Sequence, residues 1–275
     1  MNSAHTRRAL RAVRRERGFT LVELMVTVGI ALFLIWGLTT VVENVRQANL
    51  NQQGLAQLED EERFALTVIT DVVQAGGYLP DATAWTPATS LPASGNFEIG
   101  QPFWGTHVVA APGDTLYVRY RTGLDHNGNN DGVILCDGST NTAQLPSQAF
   151  TNTFRVQPAG PGVVGGLYCQ VNNLTASANP PAGVLLVPGV QSMTVYYGVK
   201  RDTTYSDYNV DTYLTADQMC TACGSDDWQN VSAVRVILTF ANPMYAPKSP
   251  INAANQPTIT FERVIEVMAR GGVHT

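Results

Sequence analysis

The fold of this chain is decided by the stretch Arg17-Gly18-Phe19-Thr20-Leu21-Val22-Glu23-Leu24-Met25-Val26. A basic segment ends at Gly18, and an apolar run that holds one carboxylate, Glu23, begins at Phe19. No charged residue occurs from Leu24 to Val42, a span of 19 positions. A helix needs about 20 apolar residues to cross the hydrocarbon core of a bilayer, so the run predicts a single transmembrane helix.

Glu23 is the unusual residue of this run. A charged side chain at the centre of a membrane helix costs at least about 2.5 kcal/mol, so an acid in such a helix is by default a functional residue. The alternative is that Glu23 lies one turn into the helix and reaches the polar edge of the membrane with its carboxylate.

The segment Gly18-Phe19-Thr20-Leu21-Val22-Glu23 resembles the prepilin processing site of type IV pilins and type II secretion pseudopilins. The resemblance implies cleavage after Gly18 by a prepilin peptidase, N-methylation of the new terminus at Phe19, and a role for Glu23 in subunit assembly. Electrostatics agrees with that role. The freed α-amine of one subunit is a cation, and Glu23 of a neighbour can neutralise it in a medium of low dielectric constant.

Charge is distributed unevenly along the chain. Residues 1–18 hold six arginines and one acid, Glu16, which leaves 11 basic and 21 acidic residues in the remainder. Under the positive-inside rule the leader stays in the cytoplasm and the rest crosses the inner membrane. An acidic mature protein is not suited to binding nucleic acid. The apolar run is too long for an ordinary secretory signal and lacks its cleavage site, so we expect a permanent anchor.

The leader should be followed by one long helix in two halves. We expect residues 19–43 to span the membrane and residues 44–79 to be amphipathic. Apolar residues recur there at helical spacing, at Leu55, Leu58, Ala65, Leu66, Ile69, Val72 and Val73, which predicts one face packed on a domain. Gly76-Gly77 and Pro80 should end the helix.

Residues 80–275 should form the head of the protein. Residues 80–114 are rich in Pro, Ala, Thr, Ser and Gly and predict a long loop, with aromatic anchors at Trp85, Phe97, Phe103 and Trp104. From Thr115 onward the periodicity changes to two. It predicts strands at 115–121, 133–136, 166–171, 184–187, 192–199, 233–240 and 258–267. One helix followed by many strands predicts an α+β head with a mainly antiparallel sheet, covered by the amphipathic half of the helix.

The head also resembles the minor pilins called PilW. The segments that carry the resemblance are 116–120, 167–169, 186–199, 213–217 and 228–236. It implies a type IV pilin-like fold and a low-abundance subunit that helps to initiate the pilus and sits near its tip, supporting adhesion and twitching motility. The implied partners are other minor pilins and the major pilin through the N-terminal helix, a tip-associated adhesin, and the prepilin peptidase and methylase. The implied location is the inner membrane, with a periplasmic head, and then the surface pilus of a Gram-negative bacterium.

The four cysteines are Cys136, Cys169, Cys220 and Cys223, and an even number in an exported domain indicates disulfides. Three pairings are possible. We favour Cys136–Cys169 and Cys220–Cys223, because the latter two are neighbours in one loop. The alternative for Cys-Thr-Ala-Cys is a redox or zinc site, but the chain lacks the βαβ pattern and the second ligand pair that these sites require.

A weak calcium signal occurs at Asp125, Asn127, Asn129 and Asp131, where oxygen-bearing side chains alternate. The pattern departs from an EF-hand loop, because the sixth position is Asn130 and the twelfth is Cys136, where glycine and glutamate are required. A plain turn between two strands is the alternative. A shorter alternation of oxygen-bearing side chains, which is a weaker calcium signal, occurs at Asp207, Asn209 and Asp211. Apart from this calcium signal, we expect no cofactor.

The sequence does not contain a recognisable catalytic constellation. Its histidines, His5, His107, His126 and His274, are not paired with an acid or a cysteine at a catalytic spacing, and G-x-S-x-G and H-E-x-x-H are absent. We therefore expect a structural subunit and not an enzyme. Three other functions remain open: a pseudopilin of a type II secretion system, a membrane-tethered adhesin or ligand-binding domain, and an exported enzyme, which the missing constellation disfavours.

Overall fold

The computed structural model describes residue 18 and residues 20–81, 83–141, 147–174, 181–201, 209–219, 227–253 and 255–268. These residues form two compact units, and the boundary between them lies at Gln52 and Gln53, inside the first helix. The helices are α1 (Leu21–Gln74) and α2 (Pro87–Ser90), with 3₁₀ turns at Ala216–Gln218 and Asp227–Asn230. The strands are β1 (Phe103–Thr106), β2 (Thr115–Thr122), β3 (Gln148–Gln157), β4 (Gly166–Asn173), β5 (Val184–Pro188), β6 (Val190–Val199), β7 (Thr212–Leu214), β8 (Ala233–Ala241) and β9 (Thr258–Glu266).

The second half of α1 covers the core with the predicted apolar face. Its buried residues are Leu58, Ala65, Leu66, Ile69, Val72 and Val73, and Leu55 is half-buried. The helix ends at Gln74, just before the predicted Gly76-Gly77. Gly77 has a φ of 77°, a left-handed conformation that favours glycine. A Cβ on Gly76 would lie 2.3 Å from the Phe103 ring, so a larger residue does not fit there.

The strands form two antiparallel sheets. The five-stranded sheet has the order β1-β2-β3-β4-β5, and the four-stranded sheet has the order β7-β6-β8-β9. The apolar face of α1 and the inner faces of both sheets form one hydrophobic core. Its members include Leu116, Phe154, Val195 and Leu238. The predicted α+β class, with a long helix and antiparallel sheet, is confirmed, and the strands are divided between two sheets.

The two sheets are held together at the loop between β1 and β2. The carboxylate of Asp114 is only 2% exposed. Its Oδ1 accepts hydrogen bonds from the Val108 N–H at 2.8 Å and from His107 Nδ1 at 2.9 Å, and its Oδ2 accepts from the Val195 N–H of β6 at 2.8 Å. Gly113 has a φ of 88°, and a Cβ there would lie 2.2 Å from the Met193 carbonyl oxygen. The position therefore requires glycine for both its conformation and its close approach to β6.

Four strand assignments differ from the sequence prediction, and two of these are short strands that were not predicted: β1, which lies inside the expected loop 80–114, and β7. The expected strand at residues 133–136 is a loop that makes only an isolated bridge, Ile134 with Thr140. Its polar groups bond to side chains: the Cys136 N–H donates to Asn152 Oδ1, and the Tyr120 hydroxyl donates to the Ile134 carbonyl. The central strand β3 was missed. Its inner face includes the fully buried Asn152, which interrupts the apolar alternation.

Residues 80–102 of the long loop are fixed to β2 by two buried arginines. Arg119 donates to the carbonyl oxygens of Pro92 at 2.8 Å, Glu98 at 3.0 Å and Gln101 at 2.7 Å. Its guanidinium carbon lies 4.1 Å from the centre of the Phe97 ring. Burial lowers the pKa of Arg119 to about 10, so the side chain is still charged at neutral pH.

Arg121 makes the equivalent contacts two residues further along the strand. It donates to the Ser90 and Ser147 carbonyl oxygens, and its guanidinium carbon lies 4.0 Å from the centre of the Trp85 ring. The predicted anchors Trp85 and Phe97 thus stack on cations, an arrangement that stabilises more strongly when it is shielded from water. The other two predicted anchors, Phe103 and Trp104, belong to a strand, β1.

Candidate processing and assembly site

Gly18 is exposed, and a Cβ added there would meet no atom within 4 Å. The fold of the chain therefore places no steric demand on this position. Phe19, the expected methylation site, and the leader residues 1–17 lie outside the described residues. The requirement for glycine at position 18 is consequently expected to come from the peptidase.

Thr20 caps the first turn of α1. Its hydroxyl oxygen accepts a hydrogen bond from the Glu23 N–H at 3.3 Å, and its carbonyl accepts from the Leu24 N–H at 3.1 Å. This cap was not predicted from the sequence, although Thr20-Leu21-Val22-Glu23 has the S/T-x-x-E spacing of a capping box. The cap places Glu23 in the first turn with its side chain exposed. Negative charge is favoured there, because the unpaired N–H groups give this end of the helix a positive partial charge.

Apolar side chains surround the first half of α1 on every side. All residues from Leu21 to Leu50 are exposed, including Phe33, which is 69% exposed, and Trp36, which is 68% exposed. This part of the helix is long and apolar enough to cross a membrane. A helix that is apolar all round must be covered by lipid or by other helices. Together with the prepilin motif, this segment anchors the protein in a membrane.

The predicted disulfide between Cys136 and Cys169 is confirmed, with a Cα–Cα distance of 6.0 Å. Cys169 lies on the inner face of β4, and both cysteines are buried, at 1% and 0% exposure. The bond closes a segment with a sequence separation of 33 and holds the 133–138 loop against the sheet. The second predicted pair, Cys220 and Cys223, lies outside the described residues.

The calcium candidates lie in a turn after β2, where their carboxylates accept hydrogen bonds from the protein. Asp125 Oδ1 accepts from the N–H groups of Asn127 at 2.9 Å and Asn129 at 2.8 Å. The bond from Asn129 is the main cause that lowers the pKa of Asp125. Asp131 accepts from the Thr122 hydroxyl at 2.7 Å and the Gly123 N–H at 2.9 Å. The contacts are those of a hydrogen-bonded turn, and calcium binding stays a prediction.

The fainter calcium pattern is only partly visible. Asp207 lies outside the described residues, and Asp211 accepts a hydrogen bond from the Arg201 N–H at 2.9 Å. Within the described part of the chain, no three His, Cys, Asp or Glu side chains come together in a way that could hold a metal ion.

Two histidines that the sequence left without acidic partners have them in the structure. His107 Nδ1 lies 2.9 Å from Asp114 Oδ1, and His126 Nδ1 lies 3.3 Å from Asp81 Oδ2. The second of these carboxyls has a pKa lowered to about 2, chiefly because the Thr83 hydroxyl donates to it. Asp114 also accepts two backbone N–H groups, so the His107 pair belongs to the junction between the sheets.

Two family models match the chain. Residues 13–39 match the prokaryotic N-terminal methylation motif, and residues 153–266 match type IV pilus-assembly protein W, PilW. The chain therefore combines a prepilin-type N-terminal motif with a PilW-type head. The second match runs from within β3 to the last residue of β9, and pilins of this family are structural subunits that assemble with other pilins after processing by a prepilin peptidase.

A type IV-like pilin from Thermus thermophilus is similar in structure to this PilW-type pilin, with 12% sequence identity and a TM-score of 0.39. The matched region covers 78% of this chain and 98% of the Thermus protein. The search of curated proteins found no match.

Processing should require glycine at position 18. Gly18→Val should leave an uncleaved membrane precursor, because a branched side chain obstructs the approach of the peptidase to the scissile carbonyl. Gly29→Val is the matched control, since a Cβ there also meets nothing within 4 Å. Mass spectrometry should find a mature terminus at Phe19 in the control only. A mature terminus in the Gly18 variant would refute the requirement.

The Cys136–Cys169 bond should stabilise the head. Cys136→Ala, Cys169→Ala and the double variant should each lose about 2–4 kcal/mol of the free energy of unfolding, since each removes the same cross-link. Urea titration followed by circular dichroism measures the loss. Equal values for the two single variants and the double variant are expected. A double variant that loses as much as the two single variants added together would show that side-chain packing, and not the cross-link, accounts for the effect.

Proposed function

We propose that this protein is a minor pilin that helps to initiate a type IV pilus and sits at or near its tip, where it supports adhesion and twitching motility. The observation that carries the proposal is the combination of a prepilin motif and exposed apolar helix with a head that matches PilW. Helices of this kind pack side by side in a filament core and present their heads outward. The inner membrane stores the subunits before assembly, with the basic leader on the cytoplasmic side.

Glu23 is proposed as the residue that sets the position of the subunit in the filament. Its side chain is exposed on the first turn of α1, next to the terminus that cleavage after Gly18 would create. A freed α-amine and a carboxylate in a medium of low dielectric constant attract each other strongly. Pairing between neighbouring subunits would satisfy both charges and fix the axial offset of one helix against the next.

The matched family favours the pilus over a type II secretion pseudopilin, because residues 153–266 match a pilus-assembly protein. A membrane-tethered adhesin would use the helix only as an anchor and would keep its leader. Other minor pilins, the major pilin and a tip-associated adhesin are the partners we propose for the assembled state.

The role of Glu23 can be tested with an isosteric change. Glu23→Gln should insert into the membrane as well as the wild type, because the change removes a charge that is costly to bury. Its incorporation into filaments should fall at least severalfold, because the α-amine of the neighbour loses its counter-charge. Quantitative immunoblots of membrane and sheared-filament fractions measure both steps.

Glu43→Gln is the matched control, since it removes the same charge near the other end of the apolar run. The control should enter filaments normally. Equal incorporation of Glu23→Gln and the control would mean that no such pair forms and that Glu23 serves recognition by the processing enzymes.

The proposed place in the filament can be tested separately. Deletion of the gene in cells that cannot retract pili should lower the number of filaments per cell and leave their length unchanged, because only initiation is impaired. Antibody against the head, detected with gold, should label one end of wild-type filaments. Labelling along the whole filament, with an unchanged number of filaments after deletion, would contradict the initiating role.

A further inference from the structure

A groove of about 290 Å³ lies on the outer face of the five-stranded sheet, the face turned away from the core. One row of side chains crosses its floor from β1 to β4, and each member lies directly opposite the next: Trp104, Tyr117, Thr153 and Gln170. Thr151 of β3 and Asn172 of β4 form a second, parallel row. Side chains directly opposite on neighbouring strands lie within contact distance, so the rows form continuous surfaces.

Aromatic rings build one side of this groove. The Trp104 and Tyr117 ring centres are 5.2 Å apart, and the Phe97 ring stands edge-on to Tyr117 at 6.4 Å. Phe97 is held from behind by the Arg119 guanidinium, whose donors bond to the carbonyl oxygens of the same loop. The aromatic surface is therefore fixed before any ligand arrives, which lowers the entropic cost of binding.

The other side of the groove offers hydrogen-bonding groups that the protein does not use. Thr151 and Thr153 are 6% and 7% exposed and line the groove. Within the described residues, neither hydroxyl makes a hydrogen bond, nor does the Asn172 amide. Gln170 donates through Nε2 to the Pro181 carbonyl at 2.9 Å, and this bond orients its amide. The hydroxyls of Thr151 and Thr153 are not among the buried polar atoms that lack a partner in the described residues, so their oxygens face the groove and its water. A ligand with several hydroxyls would bond to them in place of that water.

The chemistry of the lining restricts the class of ligand. Among the described residues that line the groove, none is an acid, a lysine, an arginine or a histidine. The Arg119 guanidinium behind Phe97 is already bonded to carbonyl oxygens, so an anionic ligand would find no free counter-charge in this lining. The floor strands β2, β3 and β4 each have a partner on both sides, so a peptide cannot bind by adding a strand there. Hydroxyl and amide side chains both donate and accept, as sugar hydroxyls do. Aromatic rings with a few fixed polar groups are typical of small-molecule sites, and the volume is close to the lower end of their range.

We infer that this groove binds a neutral saccharide, with a sugar ring against Trp104 and Tyr117 and its hydroxyls bonded to Thr151, Thr153 and Asn172. The inference goes beyond filament assembly and holds wherever the subunit sits in the pilus.

The test uses the full-length processed protein in lauryldimethylamine oxide, because glycoside detergents would compete for the groove. The probes are the methyl glycosides of glucose, galactose, mannose and N-acetylglucosamine. Tryptophan fluorescence and saturation-transfer NMR report binding. The variant Thr151→Val/Thr153→Val removes both hydroxyls and keeps β-branched side chains in the strand. Thr239→Val, on a strand of the other sheet, is the matched control.

At least one glycoside should saturate the wild type, and the double variant should bind it about tenfold more weakly, since two hydrogen bonds are lost. The control should bind like the wild type. Asn172→Ala, at a half-buried position, provides a second readout if the double variant does not fold, and it should also weaken binding. The methyl glycoside of N-acetylneuraminic acid should bind poorly because it is charged.

Three results would overturn the inference. The first is the absence of binding of every neutral glycoside at millimolar concentration. The second is binding that neither the double variant nor Asn172→Ala weakens. The third is that the neutral peptide acetyl-Ala-Thr-Ala-amide binds and that the same substitutions weaken its binding, which would identify a peptide groove.

Discussion

A single helix, α1, must satisfy two different surroundings, and the rest of the molecule follows from this constraint. Its first half is apolar on every side, and all of its residues from Leu21 to Leu50 are exposed. Its second half has one apolar stripe, which is buried from Leu58 to Val73. The change occurs without a break in the helix. The first half is therefore available for lipid and for other subunits, while the stripe provides one wall of the core of the head.

The structure of the head depends on β2, because one face of this strand packs in the core and the other binds the long loop. Its inner face, with Leu116, Val118 and Tyr120, belongs to the core. Its outer face carries Arg119 and Arg121, which bond to backbone carbonyl oxygens and stack on aromatic rings. Buried cations ordinarily need acidic partners, and here carbonyl oxygens and ring faces take that place. The long loop is thereby held in one conformation and forms the wall of the groove.

The prepilin motif and the membrane-length helix could be predicted from sequence, because their signals are local, and processing at Gly18 stays a prediction. A basic segment, a glycine, an aromatic residue and a single acid at fixed spacing predict processing and anchoring without reference to the rest of the chain. The apolar face of the second half of α1 could also be predicted, since residues three and four positions apart lie on the same face of any α-helix. The Thr20 cap was visible in the same way, as a threonine three residues before Glu23.

The parts that sequence did not reveal depend on contacts between distant residues. The central strand β3 was hidden because Asn152 occupies an inward position and bonds to Cys136, 16 residues away. Residues 133–136 have strand-forming side chains, yet their backbone bonds to Tyr120 and Asn152 and forms a loop. The groove on the outer face of the five-stranded sheet could not be predicted from the sequence either, because its floor depends on the register of four strands.

The most direct test of pilin function is the N-terminal sequence of the protein recovered from sheared surface filaments. If the chain is a processed subunit, mass spectrometry of that fraction should find peptides of the head together with an N-methylated Phe19 as the first residue. If the fraction lacks the protein, and the membrane holds only a precursor that keeps residues 1–18, then the helix is a simple anchor and the pilin function is wrong.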